Sequence, residues 1–141
     1  MWKEIILEND MSQLTLLEEF LESCRVDWQL EDRVMQHLHL ALEEAVSNAI
    51  FYAYPGESGK PIELSIYKKT ERLEIFLQDG GMPFDPTARP DPDLKVPIEE
   101  RKIGGLGIFL IRQLMDRIEY KREDGKNVLR MEMALKTIAF T

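Results

Sequence analysis

The chain has 141 residues, 26 of them acidic and 18 basic, which gives a formal net charge of −8 at pH 7. This acidic balance disfavours nucleic acid as a partner, because phosphate contacts need clustered lysines and arginines. The sequence also contains no run of about 18 apolar residues that would predict a membrane span. Length and composition therefore predict one soluble, cytoplasmic domain, residues 1–141, whose core needs no disulfide or structural metal and whose partners include neither nucleic acid nor membrane.

The first half of the chain predicts one strand and two helices. Residues 3–8 alternate as a strand does, and Asn9-Asp10 followed by apolar residues at helical spacing predicts a capped amphipathic helix that ends near residue 27. Cys24 falls in the apolar stripe of this helix, where we expect a small buried side chain rather than a reactive thiol. A second, longer helix is predicted over about residues 31–54.

The second half predicts two hairpins separated by a long segment and a short helix. Apolar alternation predicts a hairpin over residues 62–78, and the same alternation turns Asp79 towards the face that the helices must cover. Residues 80–103 show neither period and hold five of the seven prolines, which is typical of a lid over a site. A helix over 106–115 and a second hairpin over about 118–135 follow.

The order of these elements predicts the fold class. Strands joined by tight turns are antiparallel, and amphipathic helices must bury their apolar stripe against the sheet. We therefore expect an α/β (α+β) protein, a two-layer sandwich of a mostly antiparallel mixed sheet with three helices on one face.

The second helix carries an acid and an amide one turn apart. Glu44 and Asn48 project from the same helix face, so they can meet one ligand. The oxygen of an asparagine suits a Mg²⁺ ion that already carries phosphate oxygens, and the glutamate can then act as a general base on a hydroxyl. The alternative is an ordinary solvated helix face.

Two glycine segments add further chemistry. An inward carboxylate in Asp79-Gly80-Gly81 can accept a hydrogen bond from the amino group of adenine, although Asp-Gly is also a common plain turn. The segment Gly104-Gly105-Leu106-Gly107 precedes an apolar helix, whose free backbone N–H groups can bind phosphate. A flexible helix cap is the alternative there. Arg101 and Lys102 lie just upstream. They can add cationic contacts to phosphate, or they can be ordinary solvated charges.

Together the three segments, residues 42–49, 79–86 and 104–116, resemble the N, G1 and G2 boxes of the GHKL ATP-binding superfamily. The likeness is greatest to the bacterial anti-sigma factor serine/threonine kinases, and the order of predicted elements fits their Bergerat-type fold. The resemblance implies a histidine-kinase-like ATPase domain that uses ATP and Mg²⁺. It also implies these roles: catalytic base, Glu44; magnesium ligand and nucleotide contact, Asn48; adenine acid, Asp79, with Gly81 beside it; phosphate contacts, Gly104, Gly105, Leu106 and Gly107.

The same resemblance implies an activity and partners. The expected enzyme transfers phosphate from ATP to a serine of a small anti-sigma-factor antagonist, and it also sequesters a sigma factor or another partner. Homodimerisation is a further expectation of the family. Two positions depart from the pattern: Tyr52 stands where many relatives have histidine, and Ile103 where some have arginine. A nucleotide-regulated binding module without phosphotransfer is the main alternative, and a free-standing ATPase is a third.

Overall fold

A computed structural model describes residues 1–88 and 105–135 of the chain, with side chains described from Gly107 onwards in the second stretch. Its helices and strands, in chain order, are β1 (Trp2–Glu8), α1 (Leu14–Trp28), α2 (Asp32–Tyr52), β2 (Pro61–Lys68), β3 (Arg72–Asp79), α3 (Gly105–Leu114), β4 (Arg117–Glu123) and β5 (Lys126–Ala134). Single 3₁₀ turns at Met11–Gln13 and Pro86–Ala88 complete the described elements.

The five strands form one sheet in the order β1-β2-β3-β5-β4. All four strand pairs in the described part of the chain are antiparallel, so the expected sandwich is confirmed and its sheet contains no parallel pair there. Along the chain, α3 separates β3 from β4. In the sheet, β4 forms the edge and β5 lies between β3 and β4. Asp79 of β3 consequently pairs with Asn127 of β5.

Alternation along the strands separates a covered face from an open one. The side chains that fill the covered face come from β2, β3 and β5: Ile62, Leu64, Ile66, Leu73, Ile75, Leu77, Leu129, Met131 and Met133. Leucines and isoleucines of the three helices pack onto them: Leu17, Leu21, Leu38, Leu42, Ile108 and Ile111. A fully buried Leu or Ile contributes about 1.5–3 kcal/mol, so this interface holds the two layers together.

Two details of the first helices differ from the sequence prediction or refine it. Asp10 caps the 3₁₀ turn that leads into α1, since its carboxylate accepts hydrogen bonds from the backbone and hydroxyl of Ser12. Cys24 is 0% exposed, and burial raises the pKa of its thiol to about 11. The expectation that Cys24 is a small buried side chain is therefore confirmed.

Among the described residues, no helix combines the length and the apolar character needed to cross a membrane. Of the predicted lid, residues 80–88 are described and 89–103 lie outside the described residues, as does Gly104.

Candidate nucleotide site

A cavity opens between the two layers, at the end of β3. It lies among α2, α3, β3, β4, β5 and the segment after β3, and its lining combines apolar side chains with three buried polar ones and the half-buried Tyr120. The residues around it are Ala45, Asn48, Ala49, Leu77, Asp79, Phe84, Pro86, Ile111, Tyr120, Asn127 and Leu129. All three predicted segments thus contribute to one cavity, the third of them through Ile111.

Asn48 is the polar residue that α2 contributes. The side chain is 7% exposed, and among the described residues its amide has no hydrogen-bond partner. No side-chain nitrogen or oxygen in the described part of the chain is both fully buried and without a partner, so this amide keeps some access to solvent or to a ligand. Its carbonyl oxygen is a suitable ligand for Mg²⁺, which binds few protein groups alongside phosphate oxygens and water. The residue therefore fits the magnesium role that the sequence predicts.

Asp79 reaches the same cavity from β3 and is 7% exposed, which confirms the predicted inward register. Its Oδ1 accepts hydrogen bonds from the backbone N–H of Gly81, at 2.9 Å, and from Nδ2 of Asn127, at 2.8 Å. Its Oδ2 has no partner in the described part of the chain. One carboxylate oxygen is therefore fixed and the other remains an acceptor for a ligand.

The start of α3 lies against Glu44. A Cβ added to Gly107 would stand 2.5 Å from Oε2 of Glu44 and 3.4 Å from its Cδ, so a larger residue here would displace the end of the Glu44 side chain. Glu44 itself does not line the cavity; it lies half-buried one turn of α2 before Asn48. The glycine segment at the start of α3 therefore contacts the acid of α2 directly. Gly105 and Leu106 form the first residues of the same helix.

Gly81 serves packing between β3 and α2. A Cβ at this position would collide with the backbone carbonyl of Ala53, which also accepts a hydrogen bond from the N–H of Met82 at 2.8 Å. The sequence predicts that glycine here admits a ligand to the backbone. The structure adds a packing reason, because Ala53, the residue that follows α2, occupies the space beside Gly81.

The cavity is small, with a volume of about 20 Å³. A single water needs roughly 10–15 Å³ of such space, so a purine ring requires one wall to move. Phe84 and Pro86 form the wall that belongs to the predicted lid. The ring of Phe84 stacks on that of Tyr52, with centroids 4.9 Å apart, so α2 contacts the first residues of the predicted lid.

Asn127 is a site residue that the sequence analysis missed. It is 4% exposed and contacts Asp79, Met82, Phe84 and Tyr120 through hydrogen bonds of 2.6–3.2 Å. A signal for it existed: period two places residue 127 on the same inward face as Leu129, Met131 and Met133. A buried asparagine in that row needs partners, as Asp79 does.

The comparisons with known proteins concern the family and the fold of the chain. A family model described as a histidine kinase-like ATPase domain matches residues 7–133. The serine-protein kinase RsbW of Halalkalibacterium halodurans is 36% identical over 95 residues, which cover 64% of this chain and 57% of that protein. RsbW of Listeria monocytogenes is 31% identical over 99 residues, 67% of this chain and 63% of the relative. The chain thus spans roughly three fifths of these curated relatives.

Other relatives extend the pattern. The serine/threonine-protein kinase BtrW of Bordetella bronchiseptica is 29% identical over 92 residues, 65% of each chain. Among solved structures, the RsbU and RsbW domains of Rv1364c from Mycobacterium tuberculosis match with a TM-score of 0.68 at 12% identity, covering 100% of this chain and 34% of that one. The histidine kinase AdeS of Acinetobacter baumannii gives 0.51 at 13% identity, covering 96% and 68%. These two likenesses support the fold alone.

Proposed function

The chain belongs to the histidine kinase-like ATPase domain family, and from that premise we propose that it is a Mg-ATP-dependent protein-serine kinase of a bacterial partner-switching system. The observation that carries the proposal is the convergence of three motif segments that are distant in sequence. Asn48 and Asp79 line one cavity, and Gly107 at the start of α3 contacts Glu44. A helix face, a strand end and a helix start meet there with the chemistry that a metal, a purine and a polyphosphate require.

The nucleotide is held by groups of opposite hydrogen-bonding character. The free oxygen of Asp79 accepts the amino group of adenine, and Gly81 keeps the strand end close to α2. The backbone amides at the start of α3, from Gly105, Leu106 and Gly107, bind the phosphates with help from the helix dipole. We extend this phosphate site to Gly104.

Asn48 would hold Mg²⁺, which neutralises charge on the phosphates when it is bound. Glu44 is the proposed catalytic base: it accepts the proton of the substrate serine, whose oxygen attacks the γ-phosphorus as ADP leaves. Backbone amides near the transferred group stabilise the charge that develops on it. The segment 80–103 acts as the lid, and its closure over the nucleotide excludes water.

The names of the relatives support the type of reaction, since RsbW and BtrW are serine or serine/threonine kinases. We extend to this chain the substrate and partners that the motif resemblance implies, a small anti-sigma-factor antagonist and a sigma factor or equivalent partner. The proposal includes a cytoplasmic location, a homodimer, and a single domain over residues 1–141.

The experiment combines purified chain, radiolabelled ATP with Mg²⁺, and a candidate antagonist protein encoded beside it. We expect phosphoserine on the antagonist from the wild type, and at least a ~10²-fold slower transfer from Glu44→Gln with nucleotide affinity nearly unchanged, since general bases contribute about 10²–10⁴-fold. Wild-type transfer rates in that variant would contradict the assignment of the base. Tight ATP binding with no phosphoprotein would favour the binding module instead.

A second measurement tests the metal site. ATP binding by the wild type should tighten when Mg²⁺ is added, and Asn48→Ala should lose that response while keeping the affinity for metal-free ATP. Asn9→Ala, whose side chain does not line the cavity, is the matched control and should behave as the wild type. A Mg²⁺ response retained by Asn48→Ala would remove this residue from the metal site.

A further inference from the structure

Asn127 joins two walls of the cavity through one amide group. Its Nδ2 donates hydrogen bonds of 2.8 Å to Oδ1 of Asp79 and of 2.8 Å to the backbone carbonyl of Met82. Its Oδ1 accepts from the backbone N–H of Phe84, at 3.2 Å, and from the hydroxyl of Tyr120, at 2.6 Å. All the hydrogen-bonding capacity of a buried side chain is thereby used.

The orientation of this amide is determined by its surroundings. If the oxygen and nitrogen were exchanged, the oxygen would face the carboxylate of Asp79 and the carbonyl of Met82, two acceptors. The nitrogen would then face the N–H of Phe84, another donor. Three of four contacts would be repulsive, so a single orientation is stable. The amide therefore acts as a rigid connector rather than a rotating polar group.

The consequences for Asp79 follow from its position on the sheet. Asp79 and Asn127 are directly paired across β3 and β5, and Nδ2 together with the N–H of Gly81 occupies Oδ1. The rotation of the carboxylate is thus restricted, and Oδ2, which has no partner among the described residues, stays available as an acceptor on a residue that lines the cavity. The contacts with Met82 and Phe84 fix the segment whose Phe84 and Pro86 form another wall of the same cavity.

We propose that Asn127 is a positioning residue for purine recognition, which holds the acceptor oxygen of Asp79 and the start of the lid in one geometry. The inference rests on the proposed function, because it concerns the same nucleotide. It goes further by assigning the selectivity for a 6-amino purine to the pair Asp79–Asn127 rather than to the aspartate alone. It also links that selectivity mechanically to the first residues of the lid.

The test compares two ligands, ATP and purine riboside triphosphate, which lacks the 6-amino group, by calorimetric titration of the full chain with Mg²⁺. The preference for ATP, the ratio of the two dissociation constants, is the measured quantity. Asn127→Asp keeps the shape and the acceptor but replaces the donor by a second carboxylate. Because a hydrogen bond to a charged group contributes about 1.5–3 kcal/mol, we expect the preference to fall roughly tenfold or more.

Asn9→Asp is the matched control. Asn9 also connects two backbone segments, since its Nδ2 donates to the carbonyl of Glu57 and its Oδ1 accepts from the N–H of Lys60, both at 2.8 Å. This variant should keep the wild-type preference even where its melting temperature falls. If Asn127→Asp does not fold, Asn127→Ala, which adds no charge, should show the same loss of preference.

The outcomes distinguish the positioning role of Asn127 from the proposed function of the chain. Loss of the preference in the Asn127 variants, with the control unchanged, supports the inference. Folded Asn127 variants that weaken both ligands equally, and so keep the preference, would reduce Asn127 to a structural residue and overturn it. A wild-type chain that binds neither triphosphate would refute the proposed function itself.

Discussion

Replacing Asp79 by asparagine should reverse a donor–acceptor match in the cavity. In the wild type, the N–H of Gly81 and Nδ2 of Asn127 both donate to Oδ1. The two donors will hold the amide oxygen of the variant in that place, so its NH₂ group must occupy the position of Oδ2. Asp79→Asn therefore presents a donor to the ligand where the wild type presents an acceptor, with almost no change in shape.

The size of the effect follows from this exchange. ATP loses a hydrogen bond to a charged acceptor, which is worth about 1.5–3 kcal/mol, or roughly 10- to 150-fold in affinity. Inosine triphosphate carries a carbonyl oxygen at position 6, so its affinity should rise in the variant. In the folded variant, the amide oxygen still accepts both hydrogen bonds, although it is now a neutral acceptor. The free energy of unfolding should therefore fall by only about 1 kcal/mol.

Calorimetric titration of both nucleotides with Mg²⁺, together with urea unfolding, measures these quantities. Asp79→Ala is the comparison, because it removes the acceptor without creating a donor and should weaken ATP without favouring inosine triphosphate. Asp79→Asn with wild-type affinity for ATP would refute the assigned geometry. A loss of stability well above ~3 kcal/mol would show that the carboxylate serves the fold first.

Three further predictions concern packing and protonation. Gly81→Ala should lower the free energy of unfolding by about 1–3 kcal/mol in urea titrations, since the new Cβ meets the fixed backbone of Ala53. Gly107→Ala should leave stability within ~1 kcal/mol, because only the flexible end of Glu44 must move, yet slow phosphotransfer by about 10²-fold through a displacement of roughly 1 Å. Cys24 should resist thiol reagents at pH 8 until urea is added. With its pKa raised from 9.0 to about 11 in the folded state, stability should fall as pH rises between these values, because only the unfolded thiol loses its proton there, and Cys24→Ala should remove that dependence.

Most elements of the fold could be predicted from local patterns. The alternation in β2 and β3 is determined by which face is buried, and a shift by one residue would expose every apolar side chain, so the inward position of Asp79 followed from the sequence. The first residue of α1 could not be predicted from the sequence pattern. Asp10 is a good capping residue in either a 3₁₀ turn or an α-helix, and the pattern does not distinguish the two.

The candidate site was predicted in its components but not in its connections. Glu44, Asn48 and Asp79 carry chemistry that residue type and spacing reveal, and the first two share a face by helix geometry alone. The packing reason for glycine at position 81 was not predicted, because its neighbour Ala53 is distant in the sequence. The stack of Tyr52 on Phe84 likewise joins α2 to the lid, and no local period encodes such a contact.

The sequence by itself determined the period of each element, the apolar face of the sheet and the types of residue available for the site, because these depend on neighbours within a few positions along the chain. Only the tertiary structure decided that β5 lies beside β3, and hence that Asn127 stands opposite Asp79. It also decided that α3 approaches α2 closely enough for Gly107 to meet Glu44. Sheet order and helix packing depend on the apolar surface that the whole chain buries, and a short motif does not determine that total.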